Sequence, residues 1–163
     1  MRTDVKRRGW TISAEGNDLA DRFLESVFFT GNGRMGARGY PAYRPIRRPL
    51  DAGLFLAGFY DRISDSTELT DFVNLPTPIW YQIRLNGRIP AIPSHLSRAL
   101  DLRTGLLTFR YRLSIADDWV DVQEQRFFSL AKPSFLFQRL EFQGRGQVEL
   151  LAGIDHQLSL IHI

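Results

Sequence analysis

From Pro78 onward, apolar and polar residues alternate with period two, and turn residues break the alternation at short intervals. Ile79, Tyr81, Ile83 and Leu85 fall on one side of an extended segment, with Trp80, Gln82 and Arg84 on the other. That is the pattern of a half-buried strand. Asn86-Gly87 follows at once, and Asn-Gly after such a run predicts a type I′ hairpin. Residues 88–93 are expected to pair back, weakened by Pro90 and Pro93. Residues 95–101 are open between a helical turn and a link. Strands are then expected over 106–113, 119–130, 134–143 and 147–153, separated by Asp117-Asp118, Lys132-Pro133 and Gly144-Arg145-Gly146. In the second of these, Val120 and Val122 oppose Asp121 and Gln123, and further on Arg126 and Phe128 oppose Phe127 and Ser129.

The front of the chain is less regular. Residues 10–13 suit a short strand, and Glu15-Gly16-Asn17-Asp18 a polar turn. Residues 18–24 read either as one helical turn or as an irregular lead-in. Residues 25–30 and 33–40 read as two strands joined by a glycine turn. Residues 41–52 form a loop rich in Pro and Arg. The nearly unbroken apolar run 53–60 predicts a strand buried on both faces. Residues 61–68 are polar and read as a surface loop, after which Phe72-Val73-Asn74-Leu75-Pro76 returns to the core. No segment sustains a helical period, and no internal repeat is visible. Short strands bounded by turn chemistry predict an all-β antiparallel sandwich.

Composition narrows the possibilities further. The chain has 163 residues and carries 21 basic against 18 acidic side chains, for a formal charge of +3. That length can bury a sizeable core as one domain. The Arg residues are scattered apart from Arg44, Arg47 and Arg48, so no nucleic-acid face is expected. Cysteine is absent. This excludes disulfides, thiolate metal sites and a Cys nucleophile, and fits a reducing, cytoplasmic setting. The first residues lead into no apolar run of signal-peptide type. No run approaches a membrane span.

The densest signal is Thr30-Gly31-Asn32-Gly33-Arg34-Met35-Gly36-Ala37-Arg38-Gly39-Tyr40. Gly31-x-Gly33-x-x-Gly36 matches a dinucleotide fingerprint, which works only where a helix opens at the glycines. Pro41, Pro45 and Pro49 follow instead, and prolines at that spacing forbid the helix. The glycines therefore read as a tight, close-approaching turn that presents Asn32, Arg34 and Arg38.

Taken in order, the segments resemble the opening of glycoside hydrolase family 65. Glu25-Ser26-Val27-Phe28 followed by the glycine stretch is similar to the family's Glu-Ser-x-Phe and Gly-Asn-Gly-x-x-Gly-x-Arg-Gly. Ala57-Gly58-Phe59-Tyr60-Asp61, Val73-Asn74-Leu75-Pro76, Leu100-Asp101-Leu102-Arg103-Thr104-Gly105-Leu106-Leu107 and Arg126-Phe127-Phe128-Ser129 continue the resemblance. It covers residues 25–130, and only the front part of a family member. It implies an incomplete N-terminal sandwich of super-sandwich type, standing before an (α/α)6 barrel that this chain lacks. The barrel would hold the catalytic Glu and the phosphate or water site. The full-length enzyme would be an inverting α-glucoside phosphorylase or related hydrolase, acting on a disaccharide such as maltose, trehalose or kojibiose. Inorganic phosphate would be its co-substrate, with no cofactor and with a possible homodimer. The competing reading is a stand-alone carbohydrate-binding or interaction module.

Accordingly no residue here is assigned a catalytic role, and no metal is implied. The carboxylate pairs Asp61/Asp65, Asp71/Asp101 and Asp117/Asp118 sit where turns favour Asp, and a glycosidase pair must face across a sugar. His95, His156 and His162 lack metal-ligand spacing. The substrate-side candidates are Asn32, Gly33, Arg38 and Gly39 in the glycine loop. Asn32 and Arg38 offer directional hydrogen bonds to sugar hydroxyls. The structural alternative puts Asn32 in a left-handed turn position and pairs Arg38 with an acidic neighbour. Trp10, Trp80 and Trp119 could stack on sugars, although burial is the commoner role of Trp. Residues 158–163 are what CTGTCTCTTATACACATC encodes, a string resembling a transposase adapter. Residues 1–157 are accordingly expected to be the native part, and the parent nucleotide sequence checks this.

Overall fold

The computed structural model describes residues 4–16, 22–43, 53–62, 70–91, 93 and 95–154. Residues 44–52 of the expected Pro/Arg loop, residues 63–68 of the expected polar loop, the adapter-like tail, Asp65, His156 and His162 lie outside the described residues, and the first two positions of the polar loop belong to a strand. The front of the chain gives β1 (Val5–Arg8), β2 (Thr11–Gly16), α1 (Arg22–Val27), β3 (Thr30–Gly31), β4 (Met35–Ala37), β5 (Leu54–Leu56), β6 (Tyr60–Arg62) and β7 (Thr70–Phe72). The rest gives β8 (Tyr81–Leu85), β9 (Leu96–Asp101), β10 (Leu106–Ile115), β11 (Asp118–Phe128), β12 (Leu136–Arg145) and β13 (Val148–Ala152). No helix among the described residues is long and apolar enough to cross a membrane.

One layer is a six-stranded antiparallel sheet in the order β1-β2-β9-β10-β11-β12. Period-two alternation sets its inner face. Leu96 and Leu100, Leu107, Phe109, Tyr111 and Leu113, and Val120, Val122 and Phe128 are all buried there. The opposing layer is β8 with β13 and the segment around Tyr43. Ile79, Tyr81, Ile83 and Leu85 point inward from it, each at most 1% exposed. The Tyr43 ring lies 6.2 Å from that of Tyr81 and 6.0 Å from that of Tyr111, so aromatic contact joins the layers. The fold is the all-β antiparallel sandwich that the alternation predicts.

The structure corrects several local expectations. Residues 25–29 are not a strand. Leu24 and Phe28 are buried while Phe23 and Phe29 are exposed, a spacing of four that puts one stripe of α1 against the core. Extended chain resumes at Thr30, and the strand expected over 33–40 is only Met35–Ala37. The run 53–60 is broken rather than continuous, because Gly58 takes φ +81° and separates β5 from β6. Residues 95–101, left open by the sequence, contain strand β9.

Asn86-Gly87 does form a left-handed turn, with φ values of 51° and 72°. The expected return strand stops after the Leu85–Arg88 pair, because Pro90 and Pro93 cannot donate to a ladder. The strand that pairs with β8 is β13. Gln147 N–H donates to Asn86 Oδ1 at 2.8 Å, and Asn86 N–H to the Gln147 carbonyl at 2.8 Å, which fixes that register. Trp10 is 60% exposed, not buried.

Candidate functional site

The glycine loop folds as a short hairpin. Thr30 and Gly31 pair with Ala37 and Gly36, and β4 pairs on its other edge with β5. Gly33 occupies the left-handed position, with φ +84°. The structural alternative had assigned that position to Asn32. Asn32 does something else. Its Oδ1 accepts the backbone N–H groups of Arg34 and Met35 at 3.0 and 2.9 Å. Its Nδ2 donates to the carbonyls of Ser129 and Pro133 at 2.7 and 3.0 Å. Two donors and two lone pairs are the full capacity of an amide. Asn32 therefore latches the hairpin to the turn between β11 and β12.

Gly39 is needed for close approach. A Cβ there would lie 2.3 Å from Cβ of Phe28 and 2.5 Å from its carbonyl oxygen. Its N–H donates to the Glu25 carbonyl at 2.7 Å, tying the segment to α1. Arg38 braces the sandwich through its backbone. Its N–H donates to the Gly53 carbonyl at 3.0 Å, and its carbonyl accepts Arg126 Nη2 at 2.9 Å. Among the described residues its guanidinium makes no ion pair with an acidic neighbour.

The carbonyl of Arg38 leads to a feature that the motifs do not disclose. Glu124 and Arg126 are two positions apart on the inner face of β11, and both are fully buried. Glu124 Oε1 accepts Arg126 Nη1 at 3.2 Å, and Oε2 accepts the Ala42 N–H at 2.9 Å and the Tyr81 hydroxyl at 3.2 Å. The Tyr81 and Tyr111 hydroxyls hydrogen-bond to each other. The Arg126 guanidinium lies 5.1 Å from the centres of both the Tyr40 and Phe109 rings. Within a water-excluded interior, paired charges with satisfied lone pairs are tolerated where an isolated one is not.

Burial pushes the Glu124 carboxyl above the ordinary value of 4.5, opposed by Arg126, the Ala42 N–H, Tyr81 and Gln138. Burial likewise raises the Tyr81 and Tyr111 hydroxyls, reinforced by the charge of Glu124. Through the Ala42 N–H and the Arg38 carbonyl, the Glu124–Arg126 pair fastens residues 38–43 to β11. The signal that locates it is the register: Val120, Val122, Glu124, Arg126 and Phe128 all share one face. Two charges among apolar neighbours at that period mark an internal pair.

The other candidates scatter. Asp101 Oδ1 accepts the Arg103 N–H at 2.8 Å, an ordinary turn role. Asp118 Oδ2 accepts Asn86 Nδ2 at 2.5 Å. Among the described residues no three His, Cys, Asp or Glu side chains gather around a metal-sized space.

Residues 14–160 match the model of the glycosyl hydrolase family 65 N-terminal domain. A trehalose 6-phosphate phosphorylase of Lactococcus lactis subsp. lactis (strain IL1403) is 26% identical over 123 residues, covering 69% of this chain and 16% of the relative. A solved structure described as a kojibiose phosphorylase from the human microbiome superposes with a TM-score of 0.74 at 18% identity. That superposition covers 90% of this chain and 21% of the other. The chain thus spans less than a quarter of the length of either protein.

Proposed function

Since the chain belongs to glycosyl hydrolase family 65, as its N-terminal domain, we propose that it is the non-catalytic β-scaffold of a disaccharide phosphorylase. In that enzyme inorganic phosphate takes the place of the water that an inverting hydrolase would activate. The observation that carries the reading is the match of residues 14–160 to the family's N-terminal domain, in a chain that spans 16% of one phosphorylase and 21% of the other. The fully buried carboxylate of Glu124 is bonded on both oxygens, which commits it to the core rather than to a ligand in this reading.

The sandwich also has an open side. Val148 and Leu150 share a face with the fully buried Leu85 and Ile83, yet they are 36% and 46% exposed. Across the gap, Phe142 on the inner face of β12 is 38% exposed. Further strands that extend both layers would cover these residues, since an inner face left open exposes apolar surface to water.

In this reading the substrate side of the glycine loop, with Asn32, Gly33, Arg38 and Gly39, acts through its backbone shape and the Arg38 side chain. Asn32 and Gly39 hold the loop in place. The experiment is direct. The 163-residue chain, supplied with phosphate and kojibiose, maltose, trehalose or trehalose 6-phosphate, is expected to release no glucose 1-phosphate or phosphorylated product. Release above that of a heat-denatured sample would overturn the scaffold assignment.

A further inference from the structure

The six-stranded sheet ends on two edges of opposite character. At one, β1 carries Lys6, Arg7 and Arg8 in succession. A row of like charges repels a second strand, a usual protection of an exposed edge. At the other, β12 has neither proline nor lysine. Its register with β11 runs unbroken from Trp119↔Arg145 to Phe128↔Leu136, so no bulge twists it away. An antiparallel strand turns the N–H and C=O groups of alternate residues to opposite sides. Those of β12 that point away from β11 therefore form a ladder with no strand on it among the described residues.

The side chains of this edge are complementary to themselves. Leu140 and Phe142 share the inner face, with Phe142 38% exposed. On the outer face Arg139 pairs with Glu141 of its own strand. Glu141 Oε2 also accepts Gln123 Nε2 at 2.6 Å, in an outer ladder where Gln123 Oε1 accepts Arg110 Nε at 2.8 Å. A guanidinium has five donors, so Arg139, with its side chain 70% exposed, keeps capacity for a second carboxylate. Two copies joined at this edge by a two-fold axis, with their inner faces on the same side, run antiparallel. An axis centred on Leu140 overlaps residues 136–144. It sets Arg139 opposite the partner's Glu141, Glu141 opposite the partner's Arg139, and Phe142 opposite the partner's Gln138. An axis on Arg139 or on Glu141 sets like charges opposite each other, and one on Phe142 sets Arg139 opposite the partner's Arg145. Moving it to Gln138 or Gln143 cuts the overlap to residues 136–140 or 141–145.

We infer that the exposed edge of β12 binds a second copy of this chain, antiparallel and centred on Leu140, joining the two six-stranded sheets into one. Opposite charges directly across an antiparallel pair stabilise it and like charges oppose it, which selects this register. The contact is closed, because the outer edges of the joined sheet are then the two basic β1 strands. A further strand of a longer polypeptide would compete for the same edge; in the 163-residue chain the second copy takes it. The inference does not rest on the scaffold assignment, whose test reads product release rather than mass.

The test is sedimentation equilibrium of the 163-residue chain at about 100 μM, well above a micromolar Kd. The expected mass is twice the 18.8 kDa of one copy. Arg139→Glu alone and Glu141→Arg alone each set like charges across both rungs, and each is expected to weaken association about tenfold. Mixing the two variants restores both opposite pairs and is expected to restore the dimer, with amide signal dispersion reporting that each variant is folded. Leu140→Cys, in a chain that has no cysteine, is expected to cross-link two copies under a mild oxidant. Cα atoms directly across an antiparallel pair lie about 4.5–5.5 Å apart, within disulfide range. Gln138→Cys faces the partner's Phe142 and is expected to stay unlinked. A single-copy mass for the unaltered chain, a mass beyond two copies, or undiminished association of both charge variants would overturn the inference. So would a mixture of folded variants that fails to pair, or cross-linking through Gln138→Cys in preference to Leu140→Cys.

Discussion

The two faces of β11 carry the same kind of pair under opposite conditions. Inward, Glu124 and Arg126 are fully buried and also bond Ala42, Tyr81 and Arg38, while Arg126 Nε has no hydrogen-bond partner among the described residues. Outward, Asp121 meets Arg112 of β10 with side chains 44% and 55% exposed. Arg112 draws the Asp121 carboxyl below its ordinary value of 3.8, whereas burial drives Glu124 the other way despite its adjacent Arg. Solvent decides the difference. In water an ion pair has little to lose and little to gain, and its median worth is about 0–1 kcal/mol. Inside the core each ion has forfeited its hydration, so the pair holds only while every partner stays in place.

The largest expected effect follows from breaking the inner pair. Arg126→Ala leaves Glu124 buried without its counter-charge and should destabilise the fold by about 3–5 kcal/mol, read from the urea midpoint at neutral pH. The loss should shrink in acid, where Glu124 takes a proton. A midpoint unchanged at neutral pH would show that the inner pair behaves like the outer one.

Two smaller effects test how the glycine loop hangs on this interior. Asn32→Ala orphans the carbonyls of Ser129 and Pro133 and the N–H groups of Arg34 and Met35. A loss of about 1–3 kcal/mol is expected for the unsatisfied groups. Asn32→Asp keeps the acceptor half and should recover part of that loss in the same denaturation. Gly39→Ala drives a Cβ into Phe28 and should cost about 1–3 kcal/mol, as overpacking does. Wild-type stability in either alanine variant would detach the loop from the core.

The pH dependence is smaller still, and its sign differs between the faces. The folded-state value of Glu124 is raised above 4.5. Its contribution is therefore fully present below pH 4.5 and declines as pH rises through the folded value. Glu124→Gln should remove that decline from stability measured between acid and neutral pH. The folded-state value of Asp121 is lowered from 3.8, so its contribution is present above that pH and lost below it as the carboxylate protonates. Arg112→Ala is expected to leave the neutral-pH thermal midpoint within measurement error. A clear drop would show that the outer ladder bears structural weight.

Much of the sandwich is legible in the chain because period two translates directly into faces. Ile79, Tyr81, Ile83 and Leu85 are assigned to one side by alternation, and all four are buried. Where the reading slips, a longer-range partner is the reason. Residues 25–29 alternate poorly, and only packing of Leu24 and Phe28 against the core selects a helix there. The strand next to β8 lies some sixty residues on, because prolines disable the local candidate. At the candidate site, a glycine-directed close turn is visible in the sequence. The commitments of Asn32 are not, since Ser129 and Pro133 are about a hundred residues away.

The order of turn residues and the alternation between them determined the layered antiparallel class, and the ordered motifs determined the family. These are local properties, fixed by backbone sterics and by which face each side chain must take. Tertiary structure alone decided that Asn32 is a latch, that Glu124 and Arg126 form an enclosed pair, and that β12 ends the six-stranded sheet. Each of those depends on desolvation and on contacts between distant segments. Both quantities exist only after the two layers have come together.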